Sequence, residues 1–110
     1  MDVNQKGGEM TSPKNFNKIE SDAHQMLGDI KIQEICQRHF VGEERYFSRA
    51  KNVIDRILLK LKFGDLVENN KLVLSVFNQE TGSYLEFPRR AKIRRILEDI
   101  SKLLAFNYWL

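Results

Sequence analysis

Five long polar side chains recur on one side of the segment from 43 to 63. At about 100° per residue, a helix places them within a sector of about 80° that contains no Asp or Glu from the same segment. They are Arg45, Arg49, Asn52, Arg56 and Lys60, here called the polar stripe. Arginine bridges guanine O6 and N7 or a phosphate, and asparagine suits adenine. The polar stripe therefore predicts contact with double-stranded DNA, and the alternative is a solvated helix face whose partners lie elsewhere in the fold.

A second group of cations lies within seven residues at the predicted start of the last helix. Its members are Arg89, Arg90, Lys92, Arg94 and Arg95. Because the helix dipole disfavours cations near an N-terminus, we expect another use for them, and we predict that Arg89, Arg90, Arg94 and Arg95 hold phosphate. The alternative is pairing with Glu86, Glu98 and Asp99, or simple solvation.

Residues suited to metal binding or catalysis are sparse. Cys36 and His39 have a C-x-x-H spacing, but a zinc site needs two more ligands and only His24, expected at the surface near Asp22, is left. The sequence has no glycine-rich phosphate loop and none of the short motifs of serine hydrolases or zinc proteases. We therefore expect a buried thiol at Cys36, no metal, no cofactor, no small-molecule substrate and no enzymatic activity.

The charge of the 110-residue chain is uneven. Residues 1–44 hold five Lys/Arg against eight Asp/Glu, whereas residues 45–110 hold thirteen against seven, for a net charge of +3. A basic half favours an anionic partner such as nucleic acid. The alternative is a surface that is basic only for solubility.

Length and composition limit the class of protein. A chain of 110 residues allows one small domain. No apolar stretch approaches the roughly 18 residues of a membrane span, and the N-terminus lacks an apolar signal core. The single cysteine fits a reducing compartment. We expect a cytoplasmic or nuclear protein with no membrane partner.

The elements that would position these residues follow from the hydrophobic pattern. Residues 1–14 are predicted to be a disordered leader, and 15–110 a single domain. Helices are predicted over 15–27, 33–40, 43–63 and 89–104, with Gly64-Asp65 ending the third. Residues 30–32 are predicted to be a short strand or an extended link. Residues 71–77 and 83–87 are predicted to be the strands of a β-hairpin around a turn at 78–82.

This order resembles a winged-helix (winged helix-turn-helix) DNA-binding domain over roughly residues 16–104. The segment from 52 to 74 is similar to the end of a recognition helix, followed by a glycine, the apolar pair Leu66-Val67 and the first wing strand. Residues 32–35 resemble the start of that family's second helix. The resemblance implies an α+β fold in which helix 43–63 enters the major groove and turn 78–82 contacts the backbone or minor groove. It implies a regulator of transcription or replication.

The C-terminal tail is rich in aromatic residues. Phe106, Tyr108 and Trp109 follow the apolar stripe of the last helix, and a terminal tryptophan is costly to leave in water. We predict a partner interface there, such as a homodimer through the C-terminal helix, and the alternative is a tail that folds back onto the first helix. A competing function is a protein-interaction or assembly module with no nucleic-acid role, in which this tail and Leu59 matter more than the arginines.

Overall fold

Helices form all the regular structure in the part of the chain that the computed structural model describes, residues 20–82 and 89–109. They are α1 (Asp22–Leu27), α2 (Asp29–Arg38), α3 (Glu44–Leu59), α4 (Phe63–Glu68), α5 (Asn70–Thr81) and α6 (Arg90–Trp109). No β-strand occurs within these two ranges. The predicted leader at 1–14 and the predicted strand at 83–87 lie outside the described residues.

The predicted α+β winged helix is wrong, because its first wing strand and its turn belong to one helix. Residues 71–81 lie in α5, whose N-cap Asn69 accepts a hydrogen bond from the backbone N–H of Leu72 at 3.1 Å. Val73, Val76 and Phe77 are all buried at helical spacing. The β-branched composition favours a strand only weakly, and burial of one helical stripe outweighs it.

Two other predicted boundaries differ for local reasons. Residues 30–32 are helical and belong to α2. Helix α3 ends at Leu59 rather than at 63, and Gly64 lies in the first turn of α4. Asp65 accepts a hydrogen bond from the backbone N–H of Lys62 at 2.9 Å, so the pair Gly64-Asp65 starts a helix instead of stopping one.

Helix α6 is the centre of the hydrophobic core and contacts each of the other five helices. The third and last predicted helices are confirmed apart from their ends, and most of their apolar residues face the core. In α6, the side chains of Ile93, Ile96 and Ile100 are fully buried. They pack in one core with the apolar stripe of α3, and α6 itself continues past the predicted end at 104 to Trp109.

Helix α5 offers a direct test of the corrected fold at the exposed residue Ser75. We expect Ser75→Ala to be more stable than Ser75→Val by about 0.5 kcal/mol, because alanine has the higher helix propensity. Urea unfolding of both variants measures the difference. A strand would reverse the order, so a more stable valine variant would contradict the helix.

Candidate functional site

The polar stripe lies on the exposed face of α3. All five of its members are exposed. At its N-terminal end, Arg45 donates from Nη2 to the Tyr46 hydroxyl at 3.0 Å, and its guanidinium lies 4.9 Å from the centre of the Tyr46 ring. The polar stripe therefore faces the solvent, while its contact with DNA stays a prediction.

A carboxylate from another helix reaches the C-terminal half of the polar stripe. Glu80 of α5 pairs with Arg56 at 3.4 Å and with Lys60. The hydrogen bond from Lys60 is the main cause that holds the pKa of Glu80 below its ordinary value, so this carboxylate is charged at neutral pH. The two cations are thus bridged by an acid that the sequence prediction had assigned to a hairpin turn.

Arg89 and Lys92 form ion pairs with another part of the fold. Both pair with Glu43, and hydrogen bonds from Lys92 and then Arg89 lower the pKa of that carboxyl. The Arg89 guanidinium also lies 4.3 Å from the centre of the Tyr46 ring. Arg89 has a φ of 62°, the left-handed region that costs a non-glycine residue about 1 kcal/mol. These contacts offset that cost and direct Arg89 towards Glu43 and Tyr46.

The other three predicted phosphate-binding residues share one open depression between the end of α5 and the start of α6. Arg90, Arg94 and Arg95 line it, and we call it the arginine cleft. Arg90 donates from Nε to Thr81 Oγ1 and from Nη2 to Asn78 Oδ1, both at 2.9 Å. Its position is therefore fixed by neutral acceptors.

The arginine cleft keeps a net positive charge. Arg94 lies 3.6 Å from Glu98, and both side chains are about half exposed, so this pair contributes little. Arg95 is exposed and makes no ion pair with any described residue. Among the residues that the structure describes, three arginines and one glutamate line the cleft, which sums to a charge of about +2.

An apolar groove of about 420 Å³ opens between α4, α5 and α6. Its walls are mostly hydrophobic and come from all three helices. The apolar lining includes Leu66, Val67, Val73, Leu74, Leu97 and Ala105. Val67, Leu74 and Ala105 remain partly exposed, so the groove presents apolar surface to the solvent.

One polar group on the groove lining is unsatisfied. Ser101 lines the groove and is 9% exposed, and its hydroxyl has no hydrogen-bond partner among the described residues. A buried hydroxyl without a partner costs about 1–3 kcal/mol. The groove thus has both exposed apolar surface and an unused hydrogen-bonding group.

No protein-family model, curated protein or solved structure matches the chain. Its two candidate features, the apolar groove and the arginine cleft, share Phe77, Arg94 and Glu98 in their linings, so they form one continuous surface along α6.

The aromatic residues predicted to form an interface lie at the end of α6. Phe106 is 62% exposed. Tyr108 is half exposed, and its ring centre lies 5.5 Å from that of Phe63 in α4. Trp109 is the last residue of α6, and its side chain lies outside the description. The homodimer stays a prediction.

A buried polar network joins α1 to α3, and sequence reasoning missed it. His24 is buried rather than at the surface, with Nε2 at 3.0 Å from Asp55 Oδ1 and Nδ1 at 2.7 Å from Ser21 Oγ. Lys51 donates to both carboxylate oxygens of Asp55 at 3.0 and 2.9 Å. Burial opposes ionisation of Asp55, but hydrogen bonds from His24 and Lys51 outweigh it and hold its pKa below the ordinary value.

This network contains Ser, His and Asp, but it is a structural element. Ser21 is buried, and its Oγ accepts a hydrogen bond from the backbone N–H of His24 as the N-cap of α1. A nucleophile must reach its substrate, and this hydroxyl lies in the interior. The network therefore fixes α1 against α3.

Cys36 and His39 do not act together. Cys36 is buried, as predicted, and burial raises the pKa of its thiol to about 12. His39 instead contacts Asp99 of α6, with Nε2 at 2.8 Å from Oδ2. No cluster of three His, Cys, Asp or Glu side chains able to hold a metal occurs among the residues described. Over the same ranges, no helix combines the length and apolar character needed to cross a bilayer.

Proposed function

We propose that this chain is a protein-interaction domain that binds an apolar helical segment of a partner in the groove between α4, α5 and α6. The observation that carries the proposal is the apolar groove itself, with partly exposed walls at Val67, Leu74 and Ala105. Docking an amphipathic helix into a hydrophobic groove is a common mode of peptide recognition. The proposal includes no catalytic activity and no cofactor.

The dimensions of the groove suit a helix of about three turns. Its α6 wall runs from Arg94 to Ala105, which is about 16 Å at 1.5 Å per residue. The opposite wall is α5, from Asn70 to Phe77. A bound helix would cover the exposed apolar walls, and a polar side chain of the partner could supply the hydrogen bond that Ser101 lacks.

A second candidate function is binding of duplex DNA as a regulator of transcription or replication. The exposed Arg45, Arg49 and Asn52 favour it, as does the positive charge of the arginine cleft. The carboxylate of Glu80 between Arg56 and Lys60 disfavours a phosphate at that end. We therefore place protein binding first.

A reducing intracellular compartment, cytoplasmic or nuclear, suits either function in a chain with one cysteine.

A labelled peptide tests the groove. The probe is a hydrocarbon-stapled helix of about three turns with leucine at i, i+3, i+4 and i+7 and a neutral polar face, stapled because short helices are unstable alone. We expect saturable binding by fluorescence anisotropy. Leu74→Lys should weaken it at least about tenfold, because a charge enters the apolar wall.

Leu59→Lys is the matched control, since Leu59 is 49% exposed on α3 and does not line the groove. This variant should bind as the unmodified chain does. Sedimentation of the protein alone separates peptide binding from self-association through Phe106 and Tyr108. Absence of saturable binding, or equal loss in the two lysine variants, would contradict the proposed function.

A further inference from the structure

We propose further that the arginine cleft binds an acidic C-terminal end of the helix that occupies the groove, so that the partner's helix runs antiparallel to α6. This inference rests on the proposed function and adds the charge and the direction of the bound segment. It starts from the continuity of the two surfaces, because Phe77 and Arg94 line both the groove and the cleft.

The charge of the cleft identifies the chemistry of its occupant. Within the described residues, Glu98 is the one carboxylate that lines it, against Arg90, Arg94 and Arg95. A helix that fills the groove would bring its end against these guanidiniums. Carboxylates at that end would gain charge-assisted hydrogen bonds, whereas lysine or arginine there would be repelled.

Arg90 is oriented in advance to bind an anion. Its hydrogen bonds to Thr81 and Asn78 use two of the five guanidinium N–H groups, and the guanidinium carbon lies 5.1 Å from the centre of the Phe77 ring. These two bonds leave the other three guanidinium N–H groups of Arg90 for a ligand. A side chain that is already fixed loses little conformational entropy when a carboxylate arrives, which favours recognition.

Helix dipoles set the direction. The cleft lies at the N-terminus of the 20-residue helix α6, where the partial charge is positive. The C-terminal end of a bound helix carries partial negative charge and is favoured there, whereas an N-terminal end would add a second positive pole. Acidic residues near the partner's C-terminal end reinforce this preference.

Three stapled peptides with the same leucine stripe test the proposal by fluorescence anisotropy. One carries two glutamates at its C-terminal end, one carries them at its N-terminal end, and one carries glutamines. We expect the first to bind about tenfold more tightly than the glutamine peptide and the second to show no gain. Arg95→Glu should remove the tenfold gain, and Arg38→Glu, an exposed site on α2, should retain it.

The outcomes separate this inference from the proposed function. If all three peptides bind equally and Leu74→Lys abolishes binding, the groove stands and the role of the cleft is overturned. A gain for the N-terminal glutamates overturns the direction. If no peptide binds but random duplex DNA does, with a salt dependence that Arg95→Glu reduces, the cleft is a nucleic-acid site and both proposals fail.

Discussion

Replacing Asp55 by Asn is expected to lower the free energy of unfolding by about 3 kcal/mol at pH 7. The Asp55 carboxylate is buried between His24 and Lys51, and Lys51 donates to both of its oxygens. The neutral amide removes the negative charge and leaves a mostly buried ammonium without its partner. Urea denaturation followed by circular dichroism measures the change.

Asp99→Asn is the matched control because it also removes a carboxylate bonded to a histidine. The Asp99 side chain is 43% exposed and its His39 partner is partly exposed, so we expect a loss below about 1 kcal/mol. Equal losses in the two variants would contradict a stabilising role for the buried network.

The effect of Asp55→Asn should depend on pH in a defined direction. The pKa of Asp55 is lower in the folded protein than the ordinary value near 4. Its contribution to stability is therefore complete above about pH 4 and is lost as the pH falls through the folded-state pKa. Unfolding curves between about pH 2 and 7 should show the unmodified chain and the variant converging at the acidic end.

Replacing Phe40 by Ala is expected to lower the free energy of unfolding by about 4 kcal/mol. The Phe40 ring is 1% exposed and meets Phe47 edge to face, with ring centres 6.5 Å apart. The ammonium of Lys92 also lies over the ring, 5.4 Å from its centre. Truncation removes the buried ring and leaves a cavity where α2, α3 and α6 meet. Urea denaturation measures the change.

Two variants keep this prediction testable even if Phe40→Ala does not fold. Phe40→Leu should lose about 1.5 kcal/mol, because it retains most of the buried volume. Phe106→Ala removes the same ring from an exposed position and should change stability by less than about 0.5 kcal/mol. If Phe40→Ala lowered the free energy of unfolding as little as the change expected for Phe106→Ala, Phe40 would not be a core residue.

The sequence allows prediction of the helices that bury a wide, regular stripe. Ile54, Ile57 and Leu58 in α3 recur at helical spacing, as do Ile93, Ile96 and Ile100 in α6. A helix with such a stripe is stable when the stripe is buried against the rest of the core. The local sequence and the tertiary packing therefore favour the same helix.

The same reasoning failed for α5 because local preference and packing disagree. Lys71 to Phe77 is rich in β-branched and apolar residues, which favours a strand when the segment is considered alone. In the fold, Val73, Val76 and Phe77 pack as a helical stripe, and Asn69 caps the helix. The sequence did contain that capping signal, but the winged-helix resemblance gave Asn69-Asn70 a place before a strand.

The candidate site could be predicted only in part. The arginine cleft uses residues that the sequence had marked as a cluster, Arg90, Arg94 and Arg95. The apolar groove was not predictable, because Leu74 and Ala105 line the same groove only when α5 is a helix that packs beside α6. A surface formed by three helices can be predicted only when all three helices are predicted correctly.

The central position of α6 also has a consequence for biosynthesis. Helices α2 and α3 bury their apolar stripes with help from α6, yet the ribosome makes α6 after them. At about 5–20 residues per second, these stripes stay uncovered for seconds on the nascent chain. The complete core therefore cannot form until α6 has been made. Chaperones that bind apolar nascent segments would encounter the uncovered stripes of α2 and α3 in that interval.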